Sequence, residues 1–227
     1  MARKQGKTNL GQAGRALNKC ESVLTPVQSA ALKMIGPVAS QKGFYLAGGI
    51  ALALQVGHRR SRDFDYFTAG KIEDPLSFAR EIQSAGIPFV VTRQARGTLY
   101  GAINGIETSF LEYPYAVIEQ TIHNQEFQTD ILTLRDIAAM KAHALAERGF
   151  RRDFVDVYAL LQSGVTIRDM VEAYEKKYGF DNTRTILLAL NSFDNVDKHP
   201  MPEMLWPLKW SDVVKTIQKA LMEFRRR

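Results

Sequence analysis

Cysteine is the scarcest residue in this chain: one among 227. A lone Cys20 excludes a disulfide framework and a cysteine-ligated zinc site, and with no partner motif around it Cys20 reads as a small core or tail residue. Long apolar runs are also missing. None approaches the roughly 20 residues that cross a bilayer, so no membrane partner is expected. The N-terminus shows no apolar segment of the secretory type, which makes the cytoplasm the expected location. Histidines number four. His123, His143 and His199 lack metal-ligand spacing, and His58 reads as a helix-terminal histidine. No repeat or low-complexity block is present.

Acidic residues are absent from the first 20 positions, which hold Arg3, Lys4, Lys7, Arg15 and Lys19, and the last three positions are all arginine. Without these eight, 22 basic residues face 24 acidic ones, so the net charge of +6 sits in the tails. Basic tails suit loose contact with RNA or with an acidic protein, or are simply solvated.

The interior divides in two. Thr25 and Pro26 read as N-cap and first residue of a helix running to about Gln41, with Gly43 as its stop. Short strands are expected at 44–47, 62–68, 89–92, 98–103, 106–113 and 126–132, with a turn and a two-turn helix over 48–57 and a helix over 75–85. Asn104-Gly105 is a strong hairpin signal. From Thr133 onward the pattern is helical. Thr133-x-x-Asp136 resembles a capping box, and helices are expected to about Arg148 and over 151–162, 166–177, 183–190 and 211–224. The Pro-rich stretch 198–207 reads as a loop. The expected fold class is therefore α+β: a basic, poorly ordered segment over 1–22, a mixed-sheet lobe over 23–131 and a helical lobe over 132–227.

The most informative stretch is FYLAGGIALALQVGHRRSRDFDYFT, residues 44–68. Gly48-Gly49 at a helix start exposes backbone N–H groups with no side chain in the way, a cradle for phosphates. Asp63 and Asp65, two apart on an extended strand, point to one face. Side-by-side carboxylates near a phosphate site suit a hard divalent cation such as Mg²⁺, and Phe64 and Tyr66 then point into the core. Arg59, Arg60 and Arg62 are placed for phosphate or nucleic-acid backbone. Taken together these pieces describe metal-assisted nucleotidyl or phosphoryl transfer.

Gly48, Gly49, Arg59, Ser61, Asp63 and Asp65 resemble the first motif of nucleotidyltransferase-fold proteins, most of all the AbiEii/AbiGii-type toxin family, with its glycine pair followed by R-x-[ST]-x-D-x-D. A second block, DIAAMKAHALAERGFRRDFVDVYALL (136–161), resembles the family's later motif. Lys141 and Arg148 share one helix face, and Asp153 and Asp156 share a face of the next. The resemblance covers about 40–165. It implies a polymerase-beta-like nucleotidyltransferase with Asp63 and Asp65 on Mg²⁺ (or Mn²⁺). It implies that Lys141 reaches the phosphates of an NTP and that the Asp153–Asp156 pair supports the site. It further implies a tRNA 3′ end as acceptor and a cognate antitoxin as partner.

Two positions depart from that pattern. The later strand that supplies a third carboxylate in much of the fold carries Ser109 at the corresponding place, with Glu107 two residues earlier as its substitute or as a solvent-facing residue. Gly49 replaces a serine, removing one hydroxyl from the phosphate cradle. These changes leave three readings open: a working one-metal enzyme, a module that binds nucleotide or RNA without turnover, and an enzyme that nucleotidylates a protein hydroxyl. Arg93 and Arg96 beside Gly97-Thr98 read as a second phosphate-contact loop or, more simply, a plain hairpin, and Trp206, Trp210, Tyr113 and Tyr115 as base-stacking candidates or, more simply, packing residues.

Overall fold

The computed structural model describes residues 23–179, 183–193 and 196–226. The basic stretch 1–22, with Cys20, lies outside the described residues, so its expected role is carried no further.

The helix α1 (Pro26–Gln41) starts as its sequence dictates: Thr25 Oγ1 accepts the Gln28 N–H, the Gln28 side chain accepts the Thr25 N–H, and Pro26 opens the first turn. The strand β1 (Tyr45–Ala47) follows and runs straight into α2 (Gly48–Val56), which Gly57 closes in a left-handed conformation. Gly48 and Gly49 are thus the first residues of the helix itself, with no separate turn before them. β2 (Phe64–Thr68) alternates buried and half-buried residues, with Phe64 and Tyr66 fully buried in the core. After α3 (Pro75–Ser84) come β3 (Phe89–Ala95), β4 (Thr98–Ile103) and β5 (Ile106–Glu112), a meander whose second turn is Asn104-Gly105. β6 (Ile122–Asn124) and β7 (Thr129–Ile131) form a further antiparallel pair.

The sheet order is β3-β4-β5-β2-β1-β7-β6, so β2 and β1 are central. They are antiparallel, with Ala47 opposite Asp65. The C-terminal end of β1, where the glycines start α2, therefore lies beside the N-terminal end of β2. On its other side β2 pairs in parallel with β5, and Asp65 lies opposite Ser109.

Among the described residues only helices follow the sheet: α4 (Leu134–Glu147), α5 (Arg151–Gln162), α6 (Ile167–Tyr178), α7 (Thr183–Leu190), a short 3-10 turn (Val196–Lys198) and α8 (Trp210–Arg225). The helix α2 packs against both α4 and α5. One apolar core runs unbroken from Val23 to Leu221 through sheet and helices.

Local differences from the expected pattern have physical causes. β2 begins at Phe64, so Asp63 sits just before the strand. β6 has little apolar character of its own and exists because β7 gives it a ladder to pair with. Thr133 caps α4 by accepting the Asp136 N–H, but the Asp136 carboxylate does not return the bond. Instead this fully buried group accepts the Ile118 and Glu119 N–H groups and meets Lys177 Nζ at 2.8 Å. A buried charge takes the donors that neutralise it in preference to a cap.

Candidate active site

The glycine pair is required by what lies opposite it. Gly48 has φ +67°, and a β-carbon there would stand 2.7 Å from Asp65 Oδ2. One at Gly49 would stand 2.5 Å from Arg59 Nη2 and 2.7 Å from Ser61 Oγ. The absence of side chains lets the carboxylate, the guanidinium and the hydroxyl close on the N-terminus of α2, whose first N–H groups have no helical partner.

Behind this lies a buried charge cluster. Arg59 donates from Nε and Nη2 to the two oxygens of Asp156, at 2.6 and 2.9 Å. Lys141 Nζ lies 2.6 Å from Asp156 Oδ2 and 3.3 Å from Asp153 Oδ1. Arg148 grips Asp153 with Nε and Nη2 at 2.9 and 3.1 Å. The helix α5 presents both aspartates to α4 and to the loop after α2 because they are one turn apart on its face. Burial opposes the ionisation of Asp156, yet Lys141 and Arg59, with the hydrogen bond from His58, hold it well below the usual carboxylate range. Asp153 is lowered too, Lys141 and Arg148 overcoming its burial.

His58, just past the end of α2, is fully buried, with Nε2 2.8 Å from Asp156 Oδ1. Burial lowers its pKa in spite of Asp156, so the ring is neutral and Nε2–H donates. Three cations (Arg59, Lys141, Arg148) then face the two buried carboxylates, and Asp63 and Asp65 also act on Arg59 and Arg148 from the cleft.

This cluster floors a cleft of about 530 Å³. All ten singled-out positions belong to the cleft or its floor: Gly48, Gly49, Arg59, Ser61, Asp63, Asp65, Lys141 and Arg148 line it, and Asp153 and Asp156 lie beneath, bonded to Lys141. Asp65 stands against the glycine bend, and Asp63 lines the same cleft. The wall that no local pattern marks is the Pro-rich loop at 199–203, joined there by Phe150 and Arg152. Its placement comes from backbone pairing over long range: Arg60 N–H donates to Glu203 O at 2.8 Å, and Leu205 N–H to His58 O at 2.9 Å. The aromatic residues weighed as base-stacking candidates pack elsewhere, Trp210 on Phe154, Trp206 on His58, and Tyr113 and Tyr115 on Tyr178.

Among the described residues no three His, Cys, Asp or Glu side chains converge closely enough to hold an ion together. The candidate donors are the Asp63–Asp65 pair, both of which line the cleft, whereas Glu107 lines only the neighbouring hollow. The pair fits a divalent cation. Burial, then Asp65 and Glu107, push the Asp63 carboxyl above its ordinary value, and Arg152 and Arg62 offset this only in part. Ser109 Oγ donates to Asp65 Oδ1 at 2.8 Å. The residue in the place of a third carboxylate thus orients the second one.

Comparison with known proteins gives the family and the fold. Residues 31–226 match the model of the family described as nucleotidyl transferase AbiEii toxin, type IV TA system. An uncharacterized protein of Aquifex aeolicus (strain VF5), aq_aa25, is 32% identical over 200 residues, covering 87% of this chain and 95% of its own. MenT4, a nucleotidyltransferase toxin from Mycobacterium tuberculosis, shares the fold with a TM-score of 0.56 at 15% identity, over 96% of this chain and 90% of that one.

Proposed function

The chain belongs to the AbiEii family, nucleotidyltransferase toxins of type IV toxin–antitoxin systems, and from that premise we propose that it transfers NMP from an NTP to the 3′ end of tRNA, with Asp63 and Asp65 holding Mg²⁺ (or Mn²⁺). The observation that supports this reading is the approach of Asp65 to Gly48, a carboxylate beside the candidate phosphate cradle in one cleft. A cognate antitoxin is the expected protein partner, and the cytoplasm is the compartment that supplies both NTP and tRNA.

The ion, when bound, neutralises triphosphate charge and orients the α-phosphate. The remaining work belongs to the chain. The Gly48 and Gly49 N–H groups and Ser61 bind phosphate oxygens. Arg59, locked by Asp156, presents a fixed charge, and Lys141 has one of its three donors left for the NTP. Arg148 is held by Asp153 at the same floor. Ser109 fixes Asp65. The acceptor oxygen bonds to the α-phosphorus, the bond from that phosphorus to the bridging oxygen breaks, and pyrophosphate leaves with the electron pair. The hydroxyl proton passes to the Glu107 carboxylate, which lines the hollow beside the pair.

The test is a screen of four labelled NTPs against total tRNA and total protein, with and without divalent ion. Label in tRNA that periodate treatment of its 3′ ends prevents supports the reading. Label in protein alone assigns the acceptor to a protein hydroxyl. Ser109 favours a second reading, a module that binds nucleotide or RNA without turnover. Metal-dependent NTP binding with no product from any acceptor would select it.

A further inference from the structure

Asp63 and Asp65 line two hollows. One is the cleft described above. The other, of about 380 Å³, lies beyond them and is walled by β3, β4 and β5, with Arg93, Tyr100, Glu107 and Ser109 in its lining. The two hollows share only the aspartate pair. In the sheet they fall on opposite sides of β2: the glycines extend from β1, whereas β5, β4 and β3 lie across the strand.

We infer that this second hollow is the acceptor subsite and receives the 3′ end of an RNA strand; the inference rests on the nucleotidyltransferase reading above. In-line displacement puts entering and leaving groups on opposite sides of the phosphorus. With the triphosphate held at Gly48, Gly49, Arg59 and Lys141, pyrophosphate departs toward the floor of the first cleft. The acceptor hydroxyl then arrives over the aspartates from the other side, through the hollow.

The chemistry of the lining selects the acceptor class. The Arg93 guanidinium lies 4.2 Å from the centre of the Tyr100 ring. That stack results from a register shift between Val91 and Arg93, after which Arg93 lies directly opposite Tyr100, and such bulges re-aim side chains beside active sites. A guanidinium over a ring presents a phosphate partner and a stacking surface together, the two features by which single-stranded nucleic acid is held without sequence preference. Residues 89–106 hold Arg93 and Arg96 and no acidic residue, so the hairpin brings positive charge to the rim of a hollow that Asp63, Asp65 and Glu107 also line. β3 is the sheet edge, which leaves the approach open. A polypeptide acceptor would not use the guanidinium–ring pair.

Arg93 is exposed and Tyr100 half-buried, so Arg93→Ala, Tyr100→Ala and Tyr100→Phe leave the core intact. The experiment measures two affinities for each full-length variant: a 5′-labelled single-stranded RNA with a free 3′-hydroxyl by fluorescence anisotropy, and NTP with Mg²⁺ by calorimetry. Expected results are RNA binding weaker by about 10-fold or more in Arg93→Ala and Tyr100→Ala, recovery in Tyr100→Phe, and NTP affinity within about 2-fold of wild type. Where transfer is measurable, the acceptor KM rises and kcat holds. RNA affinity unchanged in Arg93→Ala, or NTP affinity falling as far as RNA affinity, overturns the assignment. Arginine-dependent RNA binding in a protein that transfers no nucleotide would uphold the subsite and refute the catalytic reading, so the two fail separately.

Discussion

Asp65 closes on Gly48 so nearly that a β-carbon at position 48 would stand 2.7 Å from its Oδ2. The glycine also has φ +67°, which an L side chain rarely adopts. Gly48→Ala is therefore expected to cost about 1 kcal/mol or more of backbone strain and to push the carboxylate out of place. Labelled transfer should be lost while circular dichroism and the melting curve still report a folded protein. Wild-type transfer in Gly48→Ala would show that the close approach is incidental.

Ser109 hydrogen-bonds Asp65 from the adjoining strand. Ser109→Ala is expected to lower turnover by about 10- to 100-fold, the usual effect of removing an outer partner of a metal-binding group, with NTP affinity nearly unchanged. Ser109→Asp places a third carboxylate directly across from Asp65 and should tighten Mn²⁺ binding, read by titration. Equal Mn²⁺ affinity in Ser109→Asp and wild type would show that Ser109 does not face the ion.

Asp156 neutralises Arg59 and Lys141 with no solvent to share the task. Asp156→Asn leaves those cations short of a partner and is expected to destabilise the fold by about 3–5 kcal/mol, measured by urea unfolding. A loss under 1 kcal/mol would mean that the cations are solvated through the cleft.

Acid stability should fall in two stages. The pKa of His58 is lowered from 6.5 by burial. The unfolded chain takes up a proton that the folded chain refuses, so this contribution is intact above 6.5 and is lost as pH falls below it. Asp153 and Asp156 are shifted down from 3.8. Their contribution is intact above that value and disappears only as pH drops through their lower folded values. Unfolding free energies from pH 7.5 to 5 should decline in wild type and decline less in His58→Gln. Identical slopes would show that His58 takes up its proton alike in the folded and the unfolded chain.

The first motif was legible in the sequence because its parts lie within 25 residues and each has a local signature: a glycine pair, an alternating strand, an arginine cluster. The second was legible because helical spacing alone puts Asp153 and Asp156 on one face. Other features depend on contacts that no local pattern encodes. The loop at 199–203 walls the cleft through backbone bonds to residues more than 140 positions away. Asp136 gives up a capping box to satisfy Lys177. His58 became a buried donor because Asp156, 98 residues on, needs one. Arg93 meets Tyr100 only through the register shift of its strand.

The central claim is that the carboxylates at 63 and 65 carry nucleotidyl transfer. Its most direct measurement is the rate of label transfer from NTP to tRNA by wild type, Asp63→Ala and Asp65→Ala, each verified as folded by its melting curve. The account requires transfer by wild type that depends on divalent ion and falls by at least about 100-fold in either variant. Transfer at the wild-type rate in both variants would contradict it.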